Sequence, residues 1–412
     1  MSTSRTAARA GHGYRALLRR PGYPGFVLTV GLIRMTGSMY MTTGVLLVLV
    51  RTHSAALAGV TVAAGTITAA VSAPLLGAWV DIVARRRVLI VFDQLLGAAG
   101  LVALLLLAGH APAWTLPVDA MLMNCTRSLS YGSFFSSVVE LAGPELLDQA
   151  SAVEATSLNL SFVIGPALAG VVAGAAGADA SILLQTAITL LAAALVALSP
   201  AFEVRPAERP QRAREALRTG ARALWHNRIL RRSGAANALA MSGWGMMAVG
   251  FPLYAARDLH AGAHAGGFLW AGIALGSAVG TFALAGRPSL RRVGASYGIL
   301  GLSALLWPLA SSLIVGMLLV TLTGFLEGPA YSGTIALRQR HMPAAVRGGT
   351  SSLLSALTLS ASSGGEAIAG LLANPGELVL AFLAVNVLAA IAVAAGAGAE
   401  ADAEVAQTPV GG

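Results

Sequence analysis

The chain has 412 residues, 56% hydrophobic and only 11% charged, with a mean hydropathy of +0.73; soluble domains carry about 25% charged residues, so a water-soluble globular protein is excluded. The formal charge of +9 suggests a nucleic-acid binder until the positions are read. All 27 basic residues are arginine, and all but Arg34, Arg51, Arg127 and Arg257 fall in the N-terminal tail and in alternate loops, which is the positive-inside pattern of a membrane protein with both termini in the cytoplasm.

Apolar runs of the length a helix needs to cross a bilayer recur along the chain, and the alternation of a membrane β-barrel is absent. Residues 1–22 read as a basic, mobile cytoplasmic tail. The run after it is longer than a signal-peptide core and has no clear cleavage site, so it stays as the first span. Spans one to five are expected over 24–50, 57–80, 88–108, 114–139 and 152–175, and a sixth ends near Leu198, giving a six-helix bundle over 23–200. Residues 201–232 break the pattern with two Pro-containing turns and an arginine-rich helix. Its Leu217, Ala221, Leu224 and Trp225 keep helical spacing, which favours an amphipathic helix on the inner leaflet over a solvated linker. Six more spans near 234–256, 264–286, 293–311, 313–337, 348–373 and 378–397 make a second bundle over 233–397, followed by a disordered cytoplasmic tail at 398–412. Cys125 is the only cysteine, so no intramolecular disulfide forms.

The halves carry traces of duplication. GPALAG at 165–170 and GEAIAG at 365–370 agree at four of six positions, and GAWVDIVARRR at 77–87 has a worn counterpart in AGRPSLRR at 285–292. The fold expected is therefore all-α: twelve transmembrane helices in two pseudo-symmetric six-helix bundles, with a solute site at their interface.

Ionisable residues inside spans are costly, roughly 2.5–3.5 kcal/mol for Arg or Asp at the membrane centre by the lower scales, and so must face protein or a wet cavity. Five stand out: Arg34, Asp93, Arg127, Glu327 and Glu366. Glu327 lies in GFLEGPAY, beside Gly328 and Pro329, which loosen the helix. It is the first candidate for a carboxyl that takes up and releases a proton, and Glu366 is the second. Asp93 has two readings, a third proton carrier or a structural partner to Arg127 or to the charged loop. Most aromatics, Trp114 and Trp307 among them, suit packing or the membrane interface; Trp244 and Tyr331 are the candidates for substrate contact. No phosphate-binding loop, metal-ligand cluster or nucleophile–base pair stands out, so neither an enzyme nor an ATP-driven pump is expected.

The loop Gly77–Arg87 resembles the signature between spans two and three of the major facilitator superfamily. Gly77, Asp81, Arg85, Arg86 and Arg87 match it by residue, while Trp79, Ile82 and Ala84 depart. The resemblance implies a latch that holds the halves together on the cytoplasmic side, weakened here by the missing charge at Ile82. SFVIGPALAG at 161–170 resembles the drug-antiporter signature of span five through Gly165, Pro166 and Gly170, with Ser161 and Ala169 in place of two glycines. That signature implies a helix bend associated with export; ordinary small-residue packing, as Gly272, Gly276 and Gly280 also suggest, is the alternative.

In this family spans one, four, seven and ten line the cavity, which would place Arg34, Arg127, Trp244 and Glu327 on it, and Arg127 resembles the arginine of the span-four signature. The layout most resembles the twelve-span bacterial branch that includes macrolide and siderophore exporters. The function implied is proton-coupled efflux of a small amphiphilic molecule by a monomer in the bacterial cytoplasmic membrane, with no cofactor beyond the proton gradient. An importer or uniporter of the same fold and a lipid flippase remain rivals, and a membrane-embedded enzyme is the different-class one.

Overall fold

The computed structural model describes residues 14–80, 86–202, 213–284, 289–342, 347–372 and 374–394, and these are helical nearly throughout. In chain order the long helices are α1 (Tyr23–Thr52), α2 (Ala55–Val80), α3 (Arg86–Leu107), α4 (Thr115–Asn124), α5 (Arg127–Ala142), α6 (Leu147–Leu198), α7 (Ala213–His226), α8 (Arg228–Arg257), α9 (Gly266–Ala283), α10 (Leu290–Ser303), α11 (Leu313–His341), α12 (Arg347–Leu372) and α13 (Pro375–Ala394). Apolar composition along these helices forces the backbone groups to pair within each one, since a bilayer offers none in return.

Four spans depart from a simple rod. Span four is interrupted between α4 and α5, one residue before Arg127. Spans five and six run together as α6 and are separated only at Gly177, whose φ of 88° is open to glycine and strained for other residues. Span nine begins as α10 and tightens into a 3₁₀ turn, Ala304–Leu309, which contains Pro308. The entrance to α8 is capped by Asn227, whose side-chain oxygen accepts from the backbone N–H of Ile229 at 3.0 Å and Leu230 at 3.2 Å. Its amide nitrogen also donates to the carbonyl of His341 at the end of α11. One residue thus satisfies orphan groups at two helix ends.

The packing order repeats between the halves. In the first, α1 and α3 pack on α6 and α2 on α4; in the second, α8 packs on α12, α10 on α13 and α9 on α11. The halves meet through two seams, α2 against α12 and α6 against α9. Both lie at the end away from α7, as their close approaches show. A Cβ on Gly59 would meet the backbone of Glu366 and Gly370, and one on Gly267 would collide with the carbonyl of Pro166. At the other end α7 lies across the junction, packed mainly on α12 and touching α2.

Two expectations change here. The tail is ordered from residue 14: Leu17 is buried with Tyr23, Phe26, Val138 and Ala142. Arg20 reaches the carbonyl of Leu141 and pairs with Glu145. The face of α7 is also divided. Leu224 packs on protein beside Leu230, Met342 and Leu354, and Gly220 accepts from Thr350 of α12, whereas Ala221 and Trp225 point outward, Trp225 at 72% exposure. The helix is docked by one stripe and leaves a second for its surroundings; Leu217 lies outside the side chains described. The tail at 398–412 likewise lies outside the described residues.

Candidate functional site

The candidate residues separate into several groups once folded. Arg34, on α1, is 5% exposed and its guanidinium is taken by Glu154 of α6, at 2.6 Å to the carboxylate and 3.1 Å to the backbone carbonyl. Phe134 of α5 covers it from 5.9 Å. The expected anion-attracting cavity arginine is thus a buried ion pair joining spans one and five. The residue reasoning missed is Glu154, whose place near a predicted span end concealed that α6 begins five residues earlier than expected.

Asp93, on α3, is buried and well supplied with donors: Thr126 at 2.8 Å, Gln94 at 3.0 Å, and a short bond from Ser130. The break between α4 and α5 brings Thr126 to it. Asp93 and Arg127 share a recess of about 20 Å³ with Thr36, Gln94, Gln185 and Thr189, room for about one water. This fits the structural reading of Asp93 as well as the protonic one.

Glu327, on α11, is 9% exposed and accepts a hydrogen bond from Ser277 of α9. Tyr297 and Tyr331 lie within its electrostatic neighbourhood, and Arg338 lies within theirs. Tyr331 is 43% exposed, and Arg338 donates to the carbonyl of Ser233 on α8 at 2.9 Å. Trp244 is packed: at 6% exposure its ring sits edge-on to Phe382 at 4.9 Å and beside Trp270 at 6.0 Å, in the aromatic core of the second half. Span periodicity could not distinguish that core from a cavity wall, because both are apolar.

Glu366, on α12, is 1% exposed at the α2–α12 seam and accepts from Ser362 at 3.3 Å. On the same seam Ser363 donates to the carbonyl of Ala63 of α2 at 2.8 Å. The helix-bend trio is placed on both faces of α6. Gly165 backs onto Ser38 and Met35 of α1, while Pro166 and Gly170 meet Gly267 and His264 at the second seam. Gly272, Gly276 and Gly280 face α11 instead. Of the charged loop, Gly77 lies in the last turn of α2 and Arg86 and Arg87 open α3, Arg86 buried. Asp81 and Arg85 lie outside the described residues.

Between α1 and the first part of α6 runs a groove of about 550 Å³, on the same end as α7. Val27, Leu28, Leu32, Met35, Leu160 and Ile164 make most of its wall, with the hydroxyls of Thr156, Ser157 and Ser161 along one side.

Two helical lobes touching at one membrane face, with buried carboxyls and an apolar groove between spans, define a polytopic membrane transporter. The chain belongs to the Major Facilitator Superfamily, whose family model matches residues 26–366. It is 28% identical over 395 residues to the uncharacterized MFS-type transporter y4rN of Sinorhizobium fredii, covering 92% of this chain and 96% of that one. It is 27% identical over 353 residues to the multidrug efflux pump Tap of Mycobacterium tuberculosis, covering 82% and 84%. Among solved structures, the nucleoside transporter NupG superposes with a TM-score of 0.69 at 13% identity, covering 90% of this chain and 98% of that one. The POT family transporter PepTSo gives 0.68 at 14%, covering 90% and 96%. The last two share the fold.

Proposed function

We propose that this transporter is a proton-driven exporter of small amphiphilic molecules, working by alternating access between bundles 23–200 and 233–397 as a monomer in a bacterial cytoplasmic membrane. Both termini and α7 are on the cytoplasmic side, following the arginine asymmetry. The observation that carries the reading is the opposition of two features. The halves are packed backbone to backbone at the far end, while an apolar groove with a few hydroxyls lies at the near end. Such a wall suits a solute with an apolar body and a polar edge arriving from the cytoplasm or the inner leaflet. The kinship with Tap, named a multidrug efflux pump, supports export.

Energy comes from the proton gradient, with no cofactor, through the buried carboxyls Glu327 and Glu366 and, in the second place, Asp93. The latch formed by Asp81 with Arg85, Arg86 and Arg87 closes the cytoplasmic end in the outward-facing state. The test is flux of candidate amphiphiles, with labelled lipid as a parallel cargo, in liposomes carrying an imposed pH gradient of either direction. Uphill movement should follow the gradient and reverse with it, and Glu327→Gln should leave only downhill movement. Flux indifferent to both gradients overturns proton coupling.

A further inference from the structure

The groove between α1 and the first part of α6 faces away from the first half's own core. On α1 that core takes Phe26, Val30 and Ile33, whereas Leu28 and Leu32, roughly half a helical turn round, stand on the groove. Leu28 is 61% exposed, and Leu160, across the groove on α6, is 52% exposed. An apolar wall left open on the outer side of a membrane helix pair is a wall for lipid. Its length is that of one leaflet. From Val27 to Met35 the helix rises about 12 Å, against about 15 Å for half of the hydrocarbon core.

The segment before α1 closes the near end of this groove. Tyr14 belongs to the groove wall. Residues 14–18 are helical, and Gly22, at φ 82°, turns the chain into α1. Leu17 is fully buried, and Arg20 is held by the carbonyl of Leu141 and by Glu145. The segment is therefore a fixed strap. With Leu17 turned inward, Tyr14 and Leu18 share one outward face, and Arg15 and Arg19 share the adjoining one, all four exposed. No acid is among the described residues that line the groove, and Glu145 is already taken by Arg20.

We propose that the groove and the strap together bind an anionic phospholipid of the leaflet at this end, with one acyl chain between α1 and α6 and the phosphate head on Arg15 and Arg19. The parts occur in the order that such a molecule needs. An apolar slot one leaflet deep takes the chain. A tyrosine and a leucine at its mouth suit the membrane interface. Two arginines beyond them supply the charge that an anionic head completes, and a zwitterionic head, neutral overall, completes it less well. The inference rests on the exporter reading for one point, that this end faces the cytoplasm; a solute entering the groove from the leaflet would displace this chain.

The site is tested apart from transport and from sidedness. Bimane is attached at Leu160→Cys, in a Cys125→Ser background, and the protein is placed in nanodiscs of phosphatidylglycerol and phosphatidylcholine at a fixed ratio. Bromine is carried on the acyl chains of one lipid or of the other, so that quenching reports which chain occupies the groove. Brominated phosphatidylglycerol should quench more strongly. Arg15→Gln and Arg19→Gln should each lower that preference about fivefold, the scale of one basic residue near an anionic surface. At Gly31 a Cβ meets Ser157 Oγ at 3.4 Å, an ordinary contact, so Gly31→Leu is admitted and fills the slot; it should bring phosphatidylglycerol down to the level of phosphatidylcholine. Bimane at Ile299→Cys on α10, 51% exposed and outside the groove, should be quenched alike by both.

Equal quenching by the two lipids at Leu160→Cys overturns the proposal. An unchanged preference without both arginines overturns the placing of the head, and one unchanged in Gly31→Leu overturns that of the chain. An equal preference at Ile299→Cys overturns the site in favour of general enrichment of anionic lipid around a basic protein. Protection of Leu160→Cys from both lipids overturns it in favour of a second copy of the chain seated on the groove. If the preference holds while flux ignores the pH gradient, the lipid site stands and the exporter reading falls; with the outcomes reversed, the lipid site falls alone.

Discussion

Two interfaces in this protein are built alike and sit in different mechanical situations. Between α9 and α11, Gly276, Gly280, Gly324 and Gly328 allow backbone contact, and Glu327 is buried at the crossing. Between α2 and α12, Gly59 and Gly370 allow the same approach, and Glu366 is buried there. The first interface lies inside the second half; the other joins the two halves. Glu327 has a donor from its neighbour Ser277, whereas one oxygen of Glu366 has none. Small residues let helices approach wherever apolar driving force between them is weak. What differs is whether the contact must later separate, and an unsatisfied carboxyl is tolerable chiefly where water will return.

A third, half-buried carboxyl calibrates the comparison. Glu154 is paired through one oxygen with the buried Arg34, so its charge has a partner in place. Arg34→Ala strands that charge and should cost about 3–5 kcal/mol, the usual penalty for breaking a buried pair, seen as a large drop in thermal unfolding midpoint in detergent. Gln at Glu154 should recover much of it in the double variant. A small drop would mean that the α1–α6 pair is wet and belongs with the moving interfaces.

The next largest effect separates the two glycine interfaces. Gly276→Ala puts a Cβ against the backbone of Thr321 and Phe325 in a contact with no reason to open, and overpacking of this kind costs about 1–3 kcal/mol. Gly59→Ala meets the backbone of Glu366 with similar crowding, but opening the seam relieves it. Thermal stability should fall for the first. The second should lengthen the far-end distance between spin labels at Ser54→Cys and Asn374→Cys, read by pulsed EPR in a Cys125→Ser background, with little change in stability. Equal stability losses would erase the distinction.

Glu327 itself sharpens it further. Glu327→Gln should cut gradient-driven flux at least about tenfold, equivalent to about 1.4 kcal/mol, while leaving the far-end distance between those labels unchanged. A changed distance would merge the two interfaces into one.

The smallest effect lies outside the membrane. A backbone hydrogen bond, and after it Arg20, hold the exposed Glu145 carboxyl below its ordinary value. A depressed carboxyl stabilises the fold above the unfolded-state value and ceases to do so as pH falls through the folded one. Arg20→Ala should therefore lower the unfolding midpoint slightly at neutral pH, with the difference from wild type vanishing in acid. Screening by water and salt keeps it small.

The spans were legible because a bilayer dictates length and composition so strictly that each one announces itself, and the family showed in Gly77–Arg87 and in the glycine–proline run of span five. Arg34, Glu327 and Glu366 were visible as charges in apolar runs for the same reason. Their partners were not. Glu154 and Asp119 lie near the ends of apolar runs, where a charge is unremarkable, and Trp244 is an aromatic within a span, which suits a cavity wall and a packed core equally. Each judgement depended on which helix lies opposite, and helical periodicity gives a residue's face without naming the neighbour.

The sequence by itself determined that this chain lives in a membrane, how often it crosses, and which few charges it carries into the apolar layer, because the cost of such charges leaves them conspicuous. Tertiary structure alone decided which charge is neutralised by an ion pair, which rests inside one lobe, and which lies on the boundary between lobes. The physical reason is that burial and hydrogen bonding are properties of the packed neighbourhood: α12 touches both halves only after the chain has folded back on itself.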